Sequence, residues 1–255
     1  MRTIQQLFDL KGKTALVTGG SRGLGLQIAE ALGEQGATLV LSSRKQSDLD
    51  EAVAHLKSRG IEASAIAADV SKESAIGPLV QEAMKRLGHI DILVNNAGAT
   101  WGAPAEDHPA EAWDKVMNLN IRSIFLLSQA VGKLSMIPRK YGRIINVASI
   151  AGLSGNGPDS MQTIAYNTSK GAVVNFTRYL AAYWGKKGVR VNTLSPGGVE
   201  NSQDEFFVKQ YSAKTPLGRM AQPTDYQGAI VFLASDASAY MTGANLVVDG
   251  GWTAI

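Results

Sequence analysis

The sequence predicts a single α/β domain in which helices cover both faces of a parallel, doubly wound β-sheet. Short apolar segments alternate with longer segments of helical character, an order that is typical of βαβ units. The short segments are almost wholly apolar, as strands are when both faces of their sheet are buried. No linker, repeat or change in composition divides the 255 residues, so we expect one Rossmann-type domain over 1–255.

Seven strands are expected in this sheet, at 14–18, 37–42, 62–67, 90–94, 143–148, 189–194 and 245–248. The helical segments between them are 23–35, 48–59, 73–87, 110–137 (one long helix or two), 163–185 and 225–234. The first of these has Leu24, Ile28 and Leu32 at helical spacing. Ligands of such sheets bind at the carboxyl ends of the strands, near the point where the strand order reverses.

Composition excludes several classes of function. Hydrophobic residues make up 45% of the chain and charged residues 18%, which indicates a globular rather than a disordered protein. The chain has no cysteine, which excludes a disulfide framework, a thiolate zinc site and a cysteine nucleophile. Its three histidines, His55, His89 and His108, have no ligand-like spacing, so we expect no metal centre.

Charge and hydropathy bear on partners and location. The formal net charge is only +3 and the basic residues are scattered, so we expect no nucleic-acid partner. No apolar run approaches the roughly 20 residues of a membrane span. Residues 1–13 have charges and glutamines where a signal peptide has an apolar stretch. We therefore expect a cytoplasmic protein without a membrane partner.

A glycine-rich turn joins the first strand to the first helix, in the segment Thr18-Gly19-Gly20-Ser21-Arg22-Gly23-Leu24-Gly25. Glycine lets the backbone approach a ligand closely, and the helix that follows directs free N–H groups and its positive dipole end towards the turn. These features indicate a pyrophosphate site. A tight turn without a ligand has the same pattern, and the spacing differs from the common G-x-G-x-x-G fingerprint.

The turn resembles the T-G-x-x-x-G-x-G cofactor loop of the short-chain dehydrogenase/reductase family. Further motifs follow in the family's order: Asn95-Asn96-Ala97-Gly98, Ser149, Tyr166-x-x-x-Lys170 and Ser195-Pro196-Gly197. The resemblance extends from about residue 10 to 252. The segments 99–102 and 215–220 are similar to those of gluconate 5-dehydrogenase-like and 3-oxoacyl-carrier-protein reductase-like members. It implies an oxidoreductase that transfers hydride between a nicotinamide cofactor and a secondary alcohol or ketone.

The charges after the second strand indicate that the cofactor is NADP(H). An NAD site usually has a carboxylate there for the ribose 2′-hydroxyl, but this strand ends in Leu41-Ser42-Ser43-Arg44-Lys45. Arg44 can bind a 2′-phosphate through two N–H groups, Arg22 lies on the same side, and Ser43 can donate a hydrogen bond. The alternative is that Arg44 and Lys45 are solvated loop charges.

The resemblance assigns the other cofactor contacts. It places the adenine amino group on Asp69 and the adenine ring on Val70, although Asp69 could instead cap the helix that begins near Ser71. Asn96, Ala97 and Gly98 would line the adenine-side ribose and brace the sheet. The remaining implied contacts are Gly19, Ser21, Arg22, Gly23, Leu24, Gly25, Pro196, Gly197 and Val199, together with Tyr166 and Lys170.

Tyr166 and Lys170 lie four positions apart on a predicted helix, so their side chains share one face. A free tyrosine has a pKa near 10, and a nearby ammonium lowers it, so the pair can supply a general acid/base at neutral pH. Pairs at this spacing are common on helix surfaces, and a chance pair is the alternative when the motif is taken alone.

The resemblance adds Ser149 and Asn120 to the catalytic set. The Ser149 hydroxyl would bind the substrate oxygen and stabilise developing charge. Asn120 is chosen over Asn118 because the family's asparagine lies five residues before an aromatic, here Phe125. It would hold a water that links Lys170 to solvent, or else be an ordinary polar helix residue.

Substrate and assembly are less well defined by the sequence. The substrate is expected to be a small carbonyl or alcohol compound, either a sugar acid or a 3-oxoacyl thioester, and a cofactor-binding sensor without turnover is the alternative of another class. The resemblance implies a homotetramer, formed through helices that match 110–137 and 163–185 and through the C-terminal segment.

Several departures from the family concern the substrate side. The interval between Ser149 and Tyr166 is longer than usual, and the additional residues lie in 152–164. The threonine expected soon after Pro196-Gly197 is missing, so Ser202 or backbone amides would replace it. Residues 204–214 are the expected mobile lid, and Trp101 either floors the pocket or packs in its loop. The aromatic residues of the lid either face the substrate or pack the lid, and they are Phe206, Phe207 and Tyr211.

Overall fold

In the computed structural model, which describes residues 1–155, 157, 161–201 and 203–255, seven parallel strands form a single sheet. The strands are β1 (Thr14–Thr18), β2 (Thr38–Ser43), β3 (Ala63–Ala67), β4 (Ile92–Asn95), β5 (Gly142–Val147), β6 (Val189–Pro196) and β7 (Asn245–Val248). Their order in the sheet is β3-β2-β1-β4-β5-β6-β7, so the direction of strand addition reverses between β1 and β4. The predicted doubly wound α/β fold is confirmed.

The helices are α1 (Ile4–Phe8), α2 (Gly23–Glu34), α3 (Gln46–Ser58), α4 (Glu73–Leu87), α5 (Ala110–Met117), α6 (Ser123–Val131), α7 (Ile137–Arg139), α8 (Ile164–Trp184), α9 (Glu205–Lys214) and α10 (Gln227–Ala234). The predicted helical segment 110–137 is one stretch with two wider π-type turns, at Asn118–Arg122 and Gly132–Met136. Within the ranges that the structure describes, no helix combines the length and the apolar character that a bilayer span requires.

The sheet is rigid because each face is covered by its own apolar core. Along β1 the side chains alternate: Val17 packs in the core that contains Ile28 of α2, whereas Leu16 packs in the opposite core with Leu79 of α4. All of these side chains are 1% exposed or less. Fully burying one such aliphatic side chain stabilises a fold by about 1.5–3 kcal/mol. The carboxyl edge of the sheet is therefore a fixed platform for the side chains that follow the strands.

The strand ends differ slightly from the prediction, and the largest extension lies next to the candidate site. β6 continues to Pro196, two residues beyond the predicted end, because Ser195 and Pro196 pair with Val247 and Val248 of the neighbouring strand. This pairing is long-range in sequence, and local apolar patterning does not reveal it. The turn after β6 consequently begins at Gly197.

Candidate active site

The glycine-rich turn after β1 has the tight geometry that a close backbone approach requires. Gly19 has a φ of +65°, in the left-handed region that favours glycine. A Cβ atom on Gly25 would lie 2.0 Å from the Gly19 carbonyl oxygen, so no side chain fits there. Helix α2 begins at Gly23, and no side chain caps its N-terminus. The turn therefore presents free amide groups where an anionic group can bind.

A network of polar contacts attaches this turn to the segment after β4. The Asn96 amide nitrogen Nδ2 donates to the carbonyl oxygens of Thr18, at 3.1 Å, and Gly19, at 3.2 Å. In return, the Thr18 hydroxyl accepts the backbone N–H groups of Asn96, at 3.1 Å, and Ala97, at 3.2 Å. These contacts hold the segment that starts at Asn96 against the turn, at the point where the strand order reverses.

The residues predicted to select the cofactor lie at the same edge of the sheet. The Ser21 hydroxyl donates to the Ser43 hydroxyl at 3.1 Å, which joins the glycine-rich turn to the end of β2. Arg22 and Arg44 are exposed, and neither guanidinium group makes a hydrogen bond or an ion pair with a described residue. Two guanidinium groups with unused donors therefore flank the position where a 2′-phosphate is expected.

Asp69 and Val70 follow β3 and are placed differently from each other. Oδ1 of Asp69 accepts the Ser71 hydroxyl at 2.7 Å and the Ser71 N–H at 3.2 Å. The Ser71 hydroxyl is the main reason that the pKa of Asp69 is lowered, and Arg44 contributes less. Asp69 thus closes the turn before α4, close to the expected capping role, while Oδ2 makes no hydrogen bond to a described residue. Val70 is 6% exposed and packs in the core.

Tyr166 and Lys170 lie on α8, whose register brings them to the end of β5. Lys170 is 4% exposed, and its ammonium nitrogen Nζ donates to the Val147 carbonyl oxygen at 2.8 Å. Nζ lies 5.5 Å from the centroid of the Tyr166 ring. Burial lowers the pKa of Lys170 to about 8. Ser149 follows β5 directly, and its Oγ accepts the Ala151 N–H at 3.2 Å.

The pKa of Tyr166 is shifted in the direction opposite to the expected one. Burial raises the pKa of Tyr166, and a hydrogen bond with the Ser149 side chain opposes that increase. The expected lowering by the Lys170 ammonium does not appear, because that group is itself desolvated and donates to Val147 rather than to the phenol. Tyr166 is therefore a protonated phenol at neutral pH in this structure.

Asn120 is buried in the π-type turn between α5 and α6, whereas Asn118 is exposed. Oδ1 of Asn120 accepts the Ala99 N–H at 2.8 Å, and Nδ2 donates to the Ala99 carbonyl at 2.9 Å and to the Ser169 hydroxyl at 3.0 Å. A Cβ atom on Gly98 would lie 3.4 Å from Asn120 Oδ1 and 3.6 Å from Lys170 Nζ. Asn120 thus ties the segment after β4 to α8 beside Lys170.

Trp101, one of the residues expected on the substrate side, lies in the loop after β4. Trp101 is 43% exposed, and Lys115 Nζ lies 5.6 Å from the centroid of its ring. The loop that carries Trp101 is attached to the chain before α8, because Ala103 N–H donates to the Gln162 carbonyl at 2.9 Å. Ser202 and, within the longer interval, residues 156 and 158–160 lie outside the described residues.

The expected lid forms helix α9, and its aromatic residues divide between two roles. Phe206 is 73% exposed. Phe207 and Tyr211 contact each other, with 6.1 Å between their ring centroids, and Tyr211 also stacks on Trp252 at 4.4 Å. Phe207 and Tyr211 therefore pack the lid, whereas Phe206 is exposed to solvent.

Sequence reasoning missed Gly152, which brings the chain after Ser149 against α8. A Cβ atom on Gly152 would lie 2.4 Å from the Lys170 carbonyl carbon and 2.5 Å from the Gly171 nitrogen. This contact sets how close Ser149 comes to the helix of Tyr166. The available signal was a glycine three residues after Ser149, but a glycine in a loop does not reveal what it contacts.

Comparison with known proteins agrees with this geometry. The family model described as enoyl-(acyl carrier protein) reductase matches residues 19–253. A gluconate 5-dehydrogenase of Gluconobacter oxydans is 39% identical over 254 residues, 97% of each chain. A rhamnolipids biosynthesis 3-oxoacyl-[acyl-carrier-protein] reductase of Pseudomonas aeruginosa is 37% identical over 254 residues, 96% of this chain and 98% of the relative.

A solved structure of a related enzyme is similar to this chain over its whole length. The crystal structure of a gluconate 5-dehydrogenase from Burkholderia cenocepacia J2315 in complex with NADP and tartrate has a TM-score of 0.92 and 34% identity, and the match covers 99% of this chain and 100% of that one. The resemblance expected from the sequence motifs is confirmed.

Proposed function

Because this chain belongs to the short-chain dehydrogenase/reductase family, we propose that it interconverts a secondary alcohol and a ketone by hydride transfer with NADP(H). The observation that carries this proposal is the cluster of Ser149, Tyr166 and Lys170 beside the end of β5, on the same edge of the sheet as the glycine-rich turn. The bound nicotinamide supplies or accepts the hydride, and the chain supplies orientation and the proton.

Each catalytic residue has a role that its surroundings support. In the reductive direction Tyr166 donates its phenolic proton to the substrate oxygen, which fits a phenol whose pKa is raised by burial. The Ser149 hydroxyl hydrogen-bonds the same oxygen and stabilises the charge that develops on it. Lys170 returns a proton towards Tyr166, and Asn120 positions the segment next to Lys170.

The cofactor site fits a dinucleotide with a 2′-phosphate. The amide groups of the turn from Gly19 to Gly25 and the N-terminus of α2 would hold the pyrophosphate. Arg22, Ser43 and Arg44 would hold the 2′-phosphate, and Asp69 retains one free carboxylate oxygen for the adenine amino group. The Burkholderia relative was crystallised with NADP, which supports this choice.

The sugar acid is the first substrate candidate, since a gluconate 5-dehydrogenase is among the most similar relatives. A 3-oxoacyl thioester is the second candidate, because a 3-oxoacyl reductase matches over nearly the same length. A sensor without turnover has no support, since these relatives are named as enzymes and the catalytic residues are all present.

The first experiment is NADPH oxidation with 5-ketogluconate and, separately, with an acetoacetyl thioester. We expect turnover of one of the two substrates. We expect Tyr166→Phe to reduce that turnover by about 10²–10⁴-fold while NADPH still binds, because only the proton donor is removed. Tyr240→Phe is the matched control and should behave as wild type, because Tyr240 is fully exposed and makes no hydrogen bond to a described residue. Full turnover by Tyr166→Phe would contradict the assigned role.

We also propose a cytoplasmic homotetramer. The expected association surfaces carry exposed aromatic side chains: Phe125 of α6 is 45% exposed, and Tyr179 and Tyr183 of α8 are 70% and 61% exposed. Tyr179 and Tyr183 stack on each other, with 6.2 Å between ring centroids, so they form one apolar patch. Cell fractionation with a tagged chain tests the location.

A further inference from the structure

One peptide group after β6 is held by two tyrosine hydroxyls. The Gly198 N–H donates to the Tyr211 hydroxyl oxygen at 2.5 Å. The carbonyl oxygen of the same peptide group, that of Gly197, accepts the Tyr226 hydroxyl at 3.2 Å. Tyr226 is 1% exposed and belongs to the fixed part of the fold, whereas Tyr211 lies on the lid helix α9. The orientation of this peptide group thus depends on one buried residue and one lid residue.

The fit between Gly198 and Tyr211 is close enough to require glycine. A Cβ atom on Gly198 would lie 2.6 Å from Cζ and 2.8 Å from Cε2 of the Tyr211 ring. The next nearest atom is Cε of Met220, at 3.0 Å, which is the end of a flexible side chain. The aromatic ring, rather than the backbone conformation of Gly198, therefore excludes a side chain at this position.

Tyr211 is also the main anchor of the lid helix. No residue of α9 is fully buried, so the helix has little apolar contact to hold it. Tyr211 contributes the stacking on Trp252, and its carbonyl oxygen accepts the Thr215 hydroxyl at 3.0 Å. Burial raises the pKa of Tyr211, with the Gly198 hydrogen bond opposing, so the hydroxyl keeps its proton at neutral pH.

We propose that Tyr211 is a positioning residue that couples the lid helix to the loop after β6, through the peptide group between Gly197 and Gly198. This inference rests on the proposed function and on the cofactor contacts that the family resemblance implies for Pro196, Gly197 and Val199. A loop held in one orientation before the cofactor arrives loses less conformational freedom on binding, and so binds more tightly. Movement of α9 away from Gly198 removes this pre-organisation, so the position of the lid and the affinity for the cofactor change together.

The first test is Tyr211→Phe, which keeps the ring on Trp252 and deletes only the hydroxyl. We expect the Kd for NADPH, measured by calorimetry, to rise roughly three- to tenfold, the effect of one net hydrogen bond. The KM for substrate should rise as well, with kcat within about twofold of wild type. Tyr240→Phe is the control, because Tyr240 is fully exposed and makes no hydrogen bond to a described residue.

A purely structural role for Tyr211 gives a different result, namely a lower Tm with unchanged Kd and KM, and that result would overturn the inference. Wild-type affinity and turnover in Tyr211→Phe would do the same while leaving the proposed function intact. Absence of NADPH binding by the wild-type protein would instead remove the proposed function and the inference with it.

A second test examines whether Tyr211 acts through Gly198. Gly198→Ala should weaken NADPH binding in the wild-type background, because the new methyl group displaces the Tyr211 ring. In a Tyr211→Ala background the ring is absent, so adding Gly198→Ala should change the Kd by less than about twofold. An equal effect of Gly198→Ala in both backgrounds would show that the Tyr211 ring is not the partner and would overturn the proposal.

Discussion

At the scale of single residues, burial decides how the candidate catalytic groups ionise. Lys170 is almost fully enclosed, and the pKa of its ammonium falls to about 8 for that reason alone. Burial acts on Tyr166 in the opposite sense, because its charged form is the anion. The two pKa values therefore move apart, so that transfer of a proton from the Lys170 ammonium to a Tyr166 phenolate is favoured.

The pKa of Lys170 predicts a pH-dependent stability difference from Lys170→Met. Below pH 8 the folded protein holds a buried ammonium, and above pH 8 the folded state releases the proton while the unfolded state keeps it until about pH 10.5. Stability of the wild type relative to the variant therefore rises with pH in this window, by about 2 kcal/mol from pH 8 to 9.5 at 1.36 kcal/mol per unit. Urea unfolding of both proteins at pH 7 and 9.5 measures it, and a pH-independent difference would contradict it.

The unused donors of Arg44 predict a change in cofactor preference. Arg44→Ala should raise the Kd for NADPH by about tenfold or more, since a charge-assisted hydrogen bond contributes about 1.5–3 kcal/mol. The Kd for NADH should stay within about twofold, because that cofactor lacks the 2′-phosphate. Lys45→Ala, at the neighbouring exposed position, is the control. A similar loss for both cofactors would argue that Arg44 holds another part of the dinucleotide.

At the scale of elements, a π-type turn places a buried asparagine where a regular helix would not. The turn Asn118–Arg122 interrupts the helical stretch that was predicted from apolar spacing. Asn120 is buried there and satisfies both polar groups of Ala99, while Asn118 faces solvent. Interruptions of this kind are frequent at functional sites. The element that carries Asn120 thus joins the segment after β4 to α8.

The two asparagines predict a matched pair of stability effects. Asn120→Ala removes the partner of the Ala99 N–H and carbonyl groups and one of the two partners of the Ser169 hydroxyl, which still donates to the Tyr166 carbonyl. The free energy of unfolding should therefore fall by about 1–3 kcal/mol, and activity should fall with it. Asn118→Ala is a surface change and should stay within about 0.5 kcal/mol of wild type. Thermal or urea unfolding distinguishes them, and equal effects would contradict the assignment of Asn120.

At the scale of the whole molecule, the aromatic side chains of Phe125 on α6 and of Tyr179 and Tyr183 on α8 are exposed in the single chain. Light scattering of the purified protein should give the mass of four chains if these surfaces associate as proposed. Tyr183→Glu places a charge in the patch formed with Tyr179 and should lower the measured mass, because a buried unpaired charge disfavours association. A monomeric mass for the wild type would contradict the homotetramer.

The amino-acid sequence by itself determined the order of strands and helices along the chain, because apolar periodicity and glycine-rich turns are local signals. It also identified Tyr166 and Lys170 as a pair, since their spacing and a shared helix face follow from helix geometry. The choice of Asn120 over Asn118 came from the family resemblance, and the structure agrees through burial. The absence of an acidic residue after β2 is likewise a local feature, so the sequence alone reveals it.

Only the tertiary structure decided what depends on contacts between distant residues. The direction of the Tyr166 pKa shift follows from enclosure by several elements, and local spacing suggested the opposite direction. The extension of β6 to Pro196 depends on pairing with β7, and the contact between Gly198 and Tyr211 depends on how the lid helix folds back. Desolvation and packing are properties of the assembled fold, which is why these features could not be predicted from the order of residues.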